Sequence, residues 1–414
     1  MFSTDSCLMK DSAPNRACGL QRLETFVPNA GRDYARNRNS DHGPERRDNV
    51  SVLSPWIRYR IITESEVLVR VLEAHSATAA EKFIQEVLWR TYWKGWLDQR
   101  PAVWHQYVVE CDQARETVQS SPDLERRLEA AVGGRTGIEG FDDWAQELTR
   151  TGYLHNHARM WFASIWIFTL KLPWVLGADF FLRHLLDGDP ASNTLSWRWV
   201  AGLQTPGKTY LARPDNIEKF TDGRFRPKGL ATRAEALKGA PLPSPAPLPP
   251  AVDEPSADLT DQLLLIHPED LHPESLISTC GRPSLMLLLE PEAFLPHWPW
   301  GDKAKRFVSG ACDDLAGRME QGGHGPVQRL ESIDAESIAA AVTKAGREQL
   351  FTPVAAVGPV ADALKQLEKD LDREGIQLVS IRRDWDQAAW PLATRGFFPF
   401  RKHIPKLLAR AGLG

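Results

Sequence analysis

Cysteine is scarce in this sequence, with five in 414 residues. Cys7, Cys18, Cys111, Cys280 and Cys312 are odd in number and scattered, and no two have the spacing of metal ligands. A disulfide framework and a cysteine-based metal site are both excluded, and a reducing compartment is expected. Long apolar runs are lacking too. The most apolar stretch, Met160 to Leu170, falls far short of the roughly 20 residues that a membrane span requires. The start, MFSTDSCLMKDSAPNR, has no apolar core and does not read as a signal peptide. A soluble, cytoplasmic protein without a metal is the expectation. A strong charge of one sign is also missing, since the net charge is only −4.

The distribution of charge is more informative than its sum. Residues 1–240 hold 32 Lys+Arg against 30 Asp+Glu, so the remaining residues carry the acidic excess. Between Arg198 and Lys238 nine basic residues face four acidic ones. Such a patch can attract phosphates on an acidic protein, although a solvated helix face has the same composition. Tryptophan is abundant: eleven of the fifteen precede residue 200. They suit a large helical core, and equally a pocket for a planar cofactor.

Three regions follow from the pattern. Residues 1 to about 20 read as disordered. From there to residue 240 apolar residues recur at helical spacing, as in Phe83, Val87, Leu88 and Thr91 to Trp96. PLPSPAPLPPAVDEP then supplies too many prolines for a helix or central strand and predicts a semi-rigid linker over 241–258. Beyond it, short apolar runs (Gln262–Ile266, Ser284–Leu289, Val327–Leu330, Leu350–Pro353, Ile376–Ile381) alternate with helical stretches (Lys303–Met319, Ala335–Lys344, Val360–Arg373). That alternation predicts a Rossmann-like α/β domain over 259–414, with a mostly parallel sheet covered on both faces.

The chemistry concentrates in Thr151–Leu172, TGYLHNHARMWFASIWIFTLKL, read as one helix with Asn156 and Met160 on a shared face. After Pro173-Trp174, ADFFLRHLL leads into Asp187-Gly188-Asp189, then Asn193 and Ser196-Trp197-Arg198-Trp199. Two carboxylates flanking a glycine need cationic or hydrogen-bonding partners, for which Arg159 is the obvious candidate. By residue type alone, a structural ion pair beside a turn satisfies the pattern equally well.

TGYLHNHARM, Trp174, DGDPASN and WRW, in that order and spacing, resemble the all-helical FAD-binding domain of the DNA photolyase/cryptochrome family. FIQEVLWRTYWKGW resembles the family's E-x-x-W-R helix through Glu86, Trp89 and Arg90, with Thr91 where Glu is usual. Tyr34 and SVLSP (51–55) resemble the element that holds the flavin diphosphate, with Val50 replacing a Thr, and Gly134–Gly137 resembles the family's G-x-T-G. The resemblance covers about residues 20 to 230 and implies FAD as cofactor. It implies that Tyr34, Ser51, Leu53 and Ser54 line the diphosphate and ribose, that Arg90 belongs to the same pocket, and that Arg159 pairs with Asp187. It further implies that Asp187 and Asp189 accept hydrogen bonds from flavin and ribose, and that Asn193 sits against the reactive ring nitrogen.

The family's lesion pocket maps onto Glu86, Trp89, Asn156, Met160 and Trp199, all present, which implies a carbon–carbon lyase that repairs cyclobutane pyrimidine dimers in damaged DNA. His157 departs from the usual Arg. Trp197 and Trp174 match the first two members of the family's electron-transfer chain. The third falls near Ser121, leaving Trp104 or Trp166 as substitutes. The α/β domain, which comes first in the family, comes last here in permuted order, with HPEDLH (267–272) where an arginine-rich opening is usual. A second antenna chromophore is expected without an identifying residue. The tail Trp390–Leu408 is expected between the domains or along a groove. The alternatives are a cryptochrome-like blue-light photoreceptor without repair activity, and a DNA-binding module without photochemistry.

Overall fold

Near residue 250 the chain changes from helices that bury tryptophan to strands that bury leucine. A computed structural model describes residues 13–295 and 300–413. Cys7 and most of the segment expected to be disordered lie outside the described residues. Within that segment, residues 16–20 are helical: the helix Arg16–Phe26 is capped by Asn15, whose side chain accepts from the Cys18 N–H. The polarity of 1–20 hid this start.

Up to Phe220 the elements are helical, from Arg16–Phe26 through Glu81–Asp98, Asn156–Ser164 and Trp174–His184 to Pro214–Phe220. Thr151–Leu172 is not one helix. Phe141–Thr151 ends at Gly152, whose φ of 72° is left-handed, and Asn156–Ser164 begins after His155, whose side chain caps it. A Cβ at Gly152 would lie 2.6 Å from the Leu186 side chain, so glycine is required by space as well as by angle. Asn156 and Met160 nevertheless remain one turn apart on the second helix. That helix runs into a π-helical stretch, Ile165–Thr169, and Pro173 caps the next helix.

The sheet has six strands, all parallel: β1 (Val252–Asp253), β2 (Leu263–Ile266), β3 (Leu285–Leu289), β4 (Val327–Leu330), β5 (Gln349–Pro353) and β6 (Gln377–Arg382), in the order β1-β6-β5-β2-β3-β4. The fold is thus helical followed by α/β, with strands two to six at the apolar runs. Leu263 and Leu265 face a core with Ile338, Val342, Leu364 and Leu367 of the outer helices. Leu264 and Ile266 face the opposite core, shared with Phe307, Leu315 and the helical half. Burial on both faces explains why these strands read as continuous rather than alternating apolar runs.

The proline-rich segment is more structured than a linker. Val252 and Asp253 pair with Ile381 and Arg382 at the sheet edge, where a neighbouring proline costs no ladder hydrogen bond. The Arg100 Nε donates to the Pro243 carbonyl at 3.1 Å, and the Ala246 N–H to the Gln99 carbonyl at 2.8 Å. The segment is therefore a strap laid across both halves.

A buried charge network joins the halves. His267–His272 follows β2, and its Glu269 accepts from Arg58 Nη1 and Nη2 at 2.8 and 2.6 Å. Asp270 accepts from Arg60 and Arg383, and Arg60 also donates to Asp386. The tail returns to the helical half. The Tyr92 hydroxyl donates to the Arg395 carbonyl at 2.9 Å, and the Trp385 Nε1 donates to the Thr91 hydroxyl at 3.2 Å. The unusual Thr91 thereby acquires a structural partner. Trp390 backbone lies so close to Gly95 that a Cβ there would stand 2.6 Å from its Cα.

Candidate functional site

Helical spacing assembles one wall. On Glu81–Asp98, Glu86, Trp89 and Arg90 stand three and four residues apart and face the same way. Opposite, Asn156–Ser164 contributes Asn156, Arg159 and Met160. Trp197 and Trp199 come from the short helix Trp197–Ala201. Together, Glu86, Trp89, Asn156, Met160, Trp197 and Trp199 line one cavity of about 410 Å³, with Arg38 and Asn193 at its side. Trp89 and Trp199 are 36% and 39% exposed, so the cavity opens to solvent between two indole rings.

A second cavity of about 170 Å³ adjoins it and shares Glu86, Trp89, Asn156, Arg159 and Asn193. Its lining adds Tyr34, Ser51, Leu53, Ser54, Arg90 and Asp187. Val52, between the two serines, has a φ of 52°. A β-branched residue in the left-handed region is strained, and such strain marks loops whose course is fixed by what they frame. The loop is held by the Ser51 carbonyl, which accepts from Arg22 Nε at 2.7 Å. Tyr34 is buried edge-on against Phe26 and Phe83.

The carboxylates form the floor. Asp187 accepts from Arg159 Nη1 and Nη2 at 2.9 and 3.0 Å, a bidentate pair. Arg159 also donates to Asn193 Oδ1 at 3.1 Å, and the Asn193 amide donates back to the Asp187 carbonyl. A Cβ at Gly188 would meet the Leu182 carbonyl at 2.5 Å, so glycine alone lets the chain turn between the two aspartates. Asp189 Oδ1 accepts from the Ser192 N–H and hydroxyl at 2.6 and 3.0 Å. Its Oδ2 is buried without a hydrogen-bond partner among the described residues, as is Arg90 Nη1, 3.4 Å away. Burial pushes both carboxyls up, but the cations prevail. Arg159 holds Asp187 below its ordinary range, and Arg58 and Arg90 bring Asp189 to about 2. Glu86 goes the other way. Burial raises it in spite of its ion pair with Arg38.

Every residue expected in the pocket falls in these two cavities, except Asp189, which sits behind Arg90, and Trp174. Trp174 is buried 5.8 Å from Tyr107, whose ring is 5.3 Å from Trp104. Trp104 Nε1 donates to Asp362 Oδ2 at 2.8 Å. The Trp197 ring lies on Gly177, one turn along the helix from Trp174, where a Cβ would come within 2.4 Å. Trp166 packs on Trp197 at 6.2 Å instead, deep in the core. His157 stacks on Trp161 at 4.3 Å, shares a hydrogen bond with the Asn39 carbonyl, and also lines the larger cavity. Sequence reasoning missed Arg38, Ser192 and Tyr107. Ser192 carries a signal, since D-x-x-S is a helix-capping pattern; Arg38, 48 residues from Glu86, carries none.

A further cavity of about 600 Å³ is a cleft elsewhere, between Leu211 and Thr232, with Arg213, Arg226 and Lys228 beside Asp215. It falls within the basic stretch. No helix among the described residues is long and apolar enough to cross a membrane.

Residues 83–226 match the family model described as the FAD binding domain of DNA photolyase. The deoxyribodipyrimidine photo-lyase of Streptomyces griseus is 28% identical over 267 residues, covering 58% of this chain and 57% of that protein. That of Agrobacterium fabrum is 30% identical over 192 residues, covering 46% and 38%. A bacterial class III photolyase structure from Agrobacterium tumefaciens aligns with a TM-score of 0.38 at 23% identity, over 53% of this chain and 46% of that one. The chain spans 57% or less of the length of the first curated relatives it matches.

Proposed function

This chain is a member of the photolyase/cryptochrome family through its residues 83–226, and from that premise we propose that it binds FAD and repairs cyclobutane pyrimidine dimers in DNA under light. The observation that carries the proposal is the single cavity that gathers Glu86, Trp89, Asn156, Met160 and Trp199 beside the arginine–aspartate floor.

Tyr34, Ser51, Leu53, Ser54 and Arg90 would hold the cofactor's phosphates and ribose, and Arg159, Asp187, Asp189 and Asn193 its ring. The donor set fits: Arg90 lines the smaller cavity with its buried Nη1 free of hydrogen bonds among the described residues, which offers a donor to a polar ligand, and the strained serine loop lines the same cavity. When bound, reduced FAD supplies the photoexcited electron that opens the cyclobutane ring and receives it back, so there is no net redox change.

The chain's own residues do the remaining work. Trp89 and Trp199 give two ring faces to the two linked, adjacent bases of the dimer drawn out of the duplex, which offsets lost stacking. Glu86, with its raised pKa, holds a proton at higher pH than an ordinary carboxyl and can donate it toward the dimer carbonyl. Asn156 and Met160 fix the orientation of the bases. Arg213, Arg226 and Lys228 take backbone phosphates. Trp174, Tyr107 and Trp104 form a run of neighbouring rings toward the partly exposed Asp362, and Trp197, over Gly177 on the helix that begins at Trp174, would join that run to the cavity as a path for an electron that recharges the site. Trp104, reached through Tyr107, takes the distal place.

The test is to purify the protein, record its absorption, and illuminate it with dimer-containing DNA. Flavin bands and light-dependent loss of dimers are expected. E86Q and W89A should lower repair by about tenfold or more with flavin retained, in the range of a lost acid–base group. Absent flavin bands would overturn the proposal. Flavin bands without repair would identify a photoreceptor of the cryptochrome type.

A further inference from the structure

One side chain stands apart from the pattern of burial. Phe398 is 75% exposed, far above the other exposed large apolar residues. Its neighbours hold it outward. Phe397 packs on Trp89 at 4.7 Å and on Tyr92 at 5.5 Å, and Phe400 is buried against Tyr92. The Tyr92 hydroxyl and Arg100 pin the carbonyls of Arg395 and Thr394 from below. With both flanking rings committed inward, Phe398 cannot turn into the core. It therefore projects to solvent one residue along from Phe397, which packs on Trp89 in the wall of the cavity.

Its surroundings are cationic. After Asp386 the sequence has no acidic residue, while Arg395, Arg401, Lys402, Lys406 and Arg410 follow. Of these, Arg410 is paired with Asp384. The Arg401 guanidinium lies 5.7 Å over the Phe398 ring. An exposed apolar ring under one guanidinium, in a segment whose charged residues are all basic and whose Phe397 packs on a cavity-wall indole, matches a partner with a phosphate backbone and a gap in a stack of planar rings. When nucleotides leave a duplex they open such a gap, and apolar wedges are used to fill gaps of this kind.

We propose that Arg395–Lys402 is a duplex-contacting element in which Phe398 fills the gap left when the damaged nucleotides enter the neighbouring cavity, while Arg395, Arg401 and Lys402 take the flanking phosphates. This rests on the reading of the cavity given above. The test measures affinity, in the dark and at fixed salt, for a duplex carrying one cyclobutane thymine dimer and for the same damaged strand alone. F398A should weaken the duplex complex about tenfold and leave the single-strand complex within about twofold, because only a duplex has a stack to repair. F398W should restore duplex binding. R401Q should weaken both and reduce the salt dependence by about one phosphate contact. Flavin absorption should be the same in all variants, since none touches the cofactor cavity. If F398A binds the duplex as the wild type does, or loses both forms equally, the wedge is overturned while the repair reading stands. If the wild-type protein binds neither form, the repair reading falls and the wedge with it.

Discussion

Two buried clusters of arginines and carboxylates lie on either side of Arg58, and they differ in completeness. At the junction between the halves, every side-chain nitrogen of Arg58 and Arg383 donates to an oxygen. In the cavity floor, Arg90 Nη1 and Asp189 Oδ2 are left without hydrogen bonds among the described residues. Residue types, burial and shifted pKa values are similar in both. What separates a clasp from a receptor is an unspent donor on a residue that lines a cavity, here Arg90, because a buried polar group without a partner is costly unless something else completes it.

The contrast can be broken most directly by removing one cation from each cluster. R58M leaves Glu269 with Lys94 alone and should destabilise the fold by about 3–5 kcal/mol, as expected for half of a buried pair. R90M should cost about 1–2 kcal/mol, since no hydrogen bond between the two carboxylates and Arg90 is lost, yet it should strip most of the flavin. Denaturant unfolding and the ratio of flavin to protein absorbance measure both. Equal destabilisation by the two variants would make the floor a second clasp.

A smaller effect than that of R58M is expected at Gly177, under the Trp197 ring. G177A forces the Trp197 ring away and should cost about 1–3 kcal/mol, as overpacking does. It should also slow photoreduction of bound flavin relative to a control of equal stability. Unchanged photoreduction would remove Trp197 from the path.

The smallest effect sharpens the junction itself. Asp98 is buried, accepts from the Val357 N–H at 2.8 Å, and is raised to about 7 by burial. A carboxyl whose folded pKa lies above the unfolded value near 4 weakens the fold when ionised, and the penalty fades as pH falls from 7 toward 4. D98N keeps the acceptor and removes the charge. It should be more stable than wild type by about 1–2 kcal/mol at pH 8, with a gap that shrinks as pH falls below 7 and closes only near pH 4. Equal stability at pH 8 would mean that Lys94 fully neutralises Asp98.

What the sequence disclosed depended on how local each signal was. Strands β2 and β3 were legible because two-sided burial leaves unbroken apolar runs between prolines and polar turns. Asp187, Gly188 and Asp189 were legible because three chemically distinct demands meet within three residues. The break at Gly152 was not, because TGYLHNH continues an apolar spacing across a turn set by a close approach to Leu186. β1 was hidden among prolines, which an edge tolerates and a central strand does not. HPEDLH read only as a departure. Its purpose, gripping Arg58 and Arg60 some 210 positions earlier, exists only in three dimensions.

The return of the tail to the helix Glu81–Asp98 has a consequence for biosynthesis. Domains usually fold in the order in which they are made. Here Gly95, Thr91, Tyr92 and Trp89 wait for Trp390, Trp385, Arg395 and Phe397, about three hundred residues later in translation. At about 5–20 residues per second that interval lasts tens of seconds. For that time the face of the helix that walls the cavity is without its cover, and the first half to be synthesised is the last to be completed.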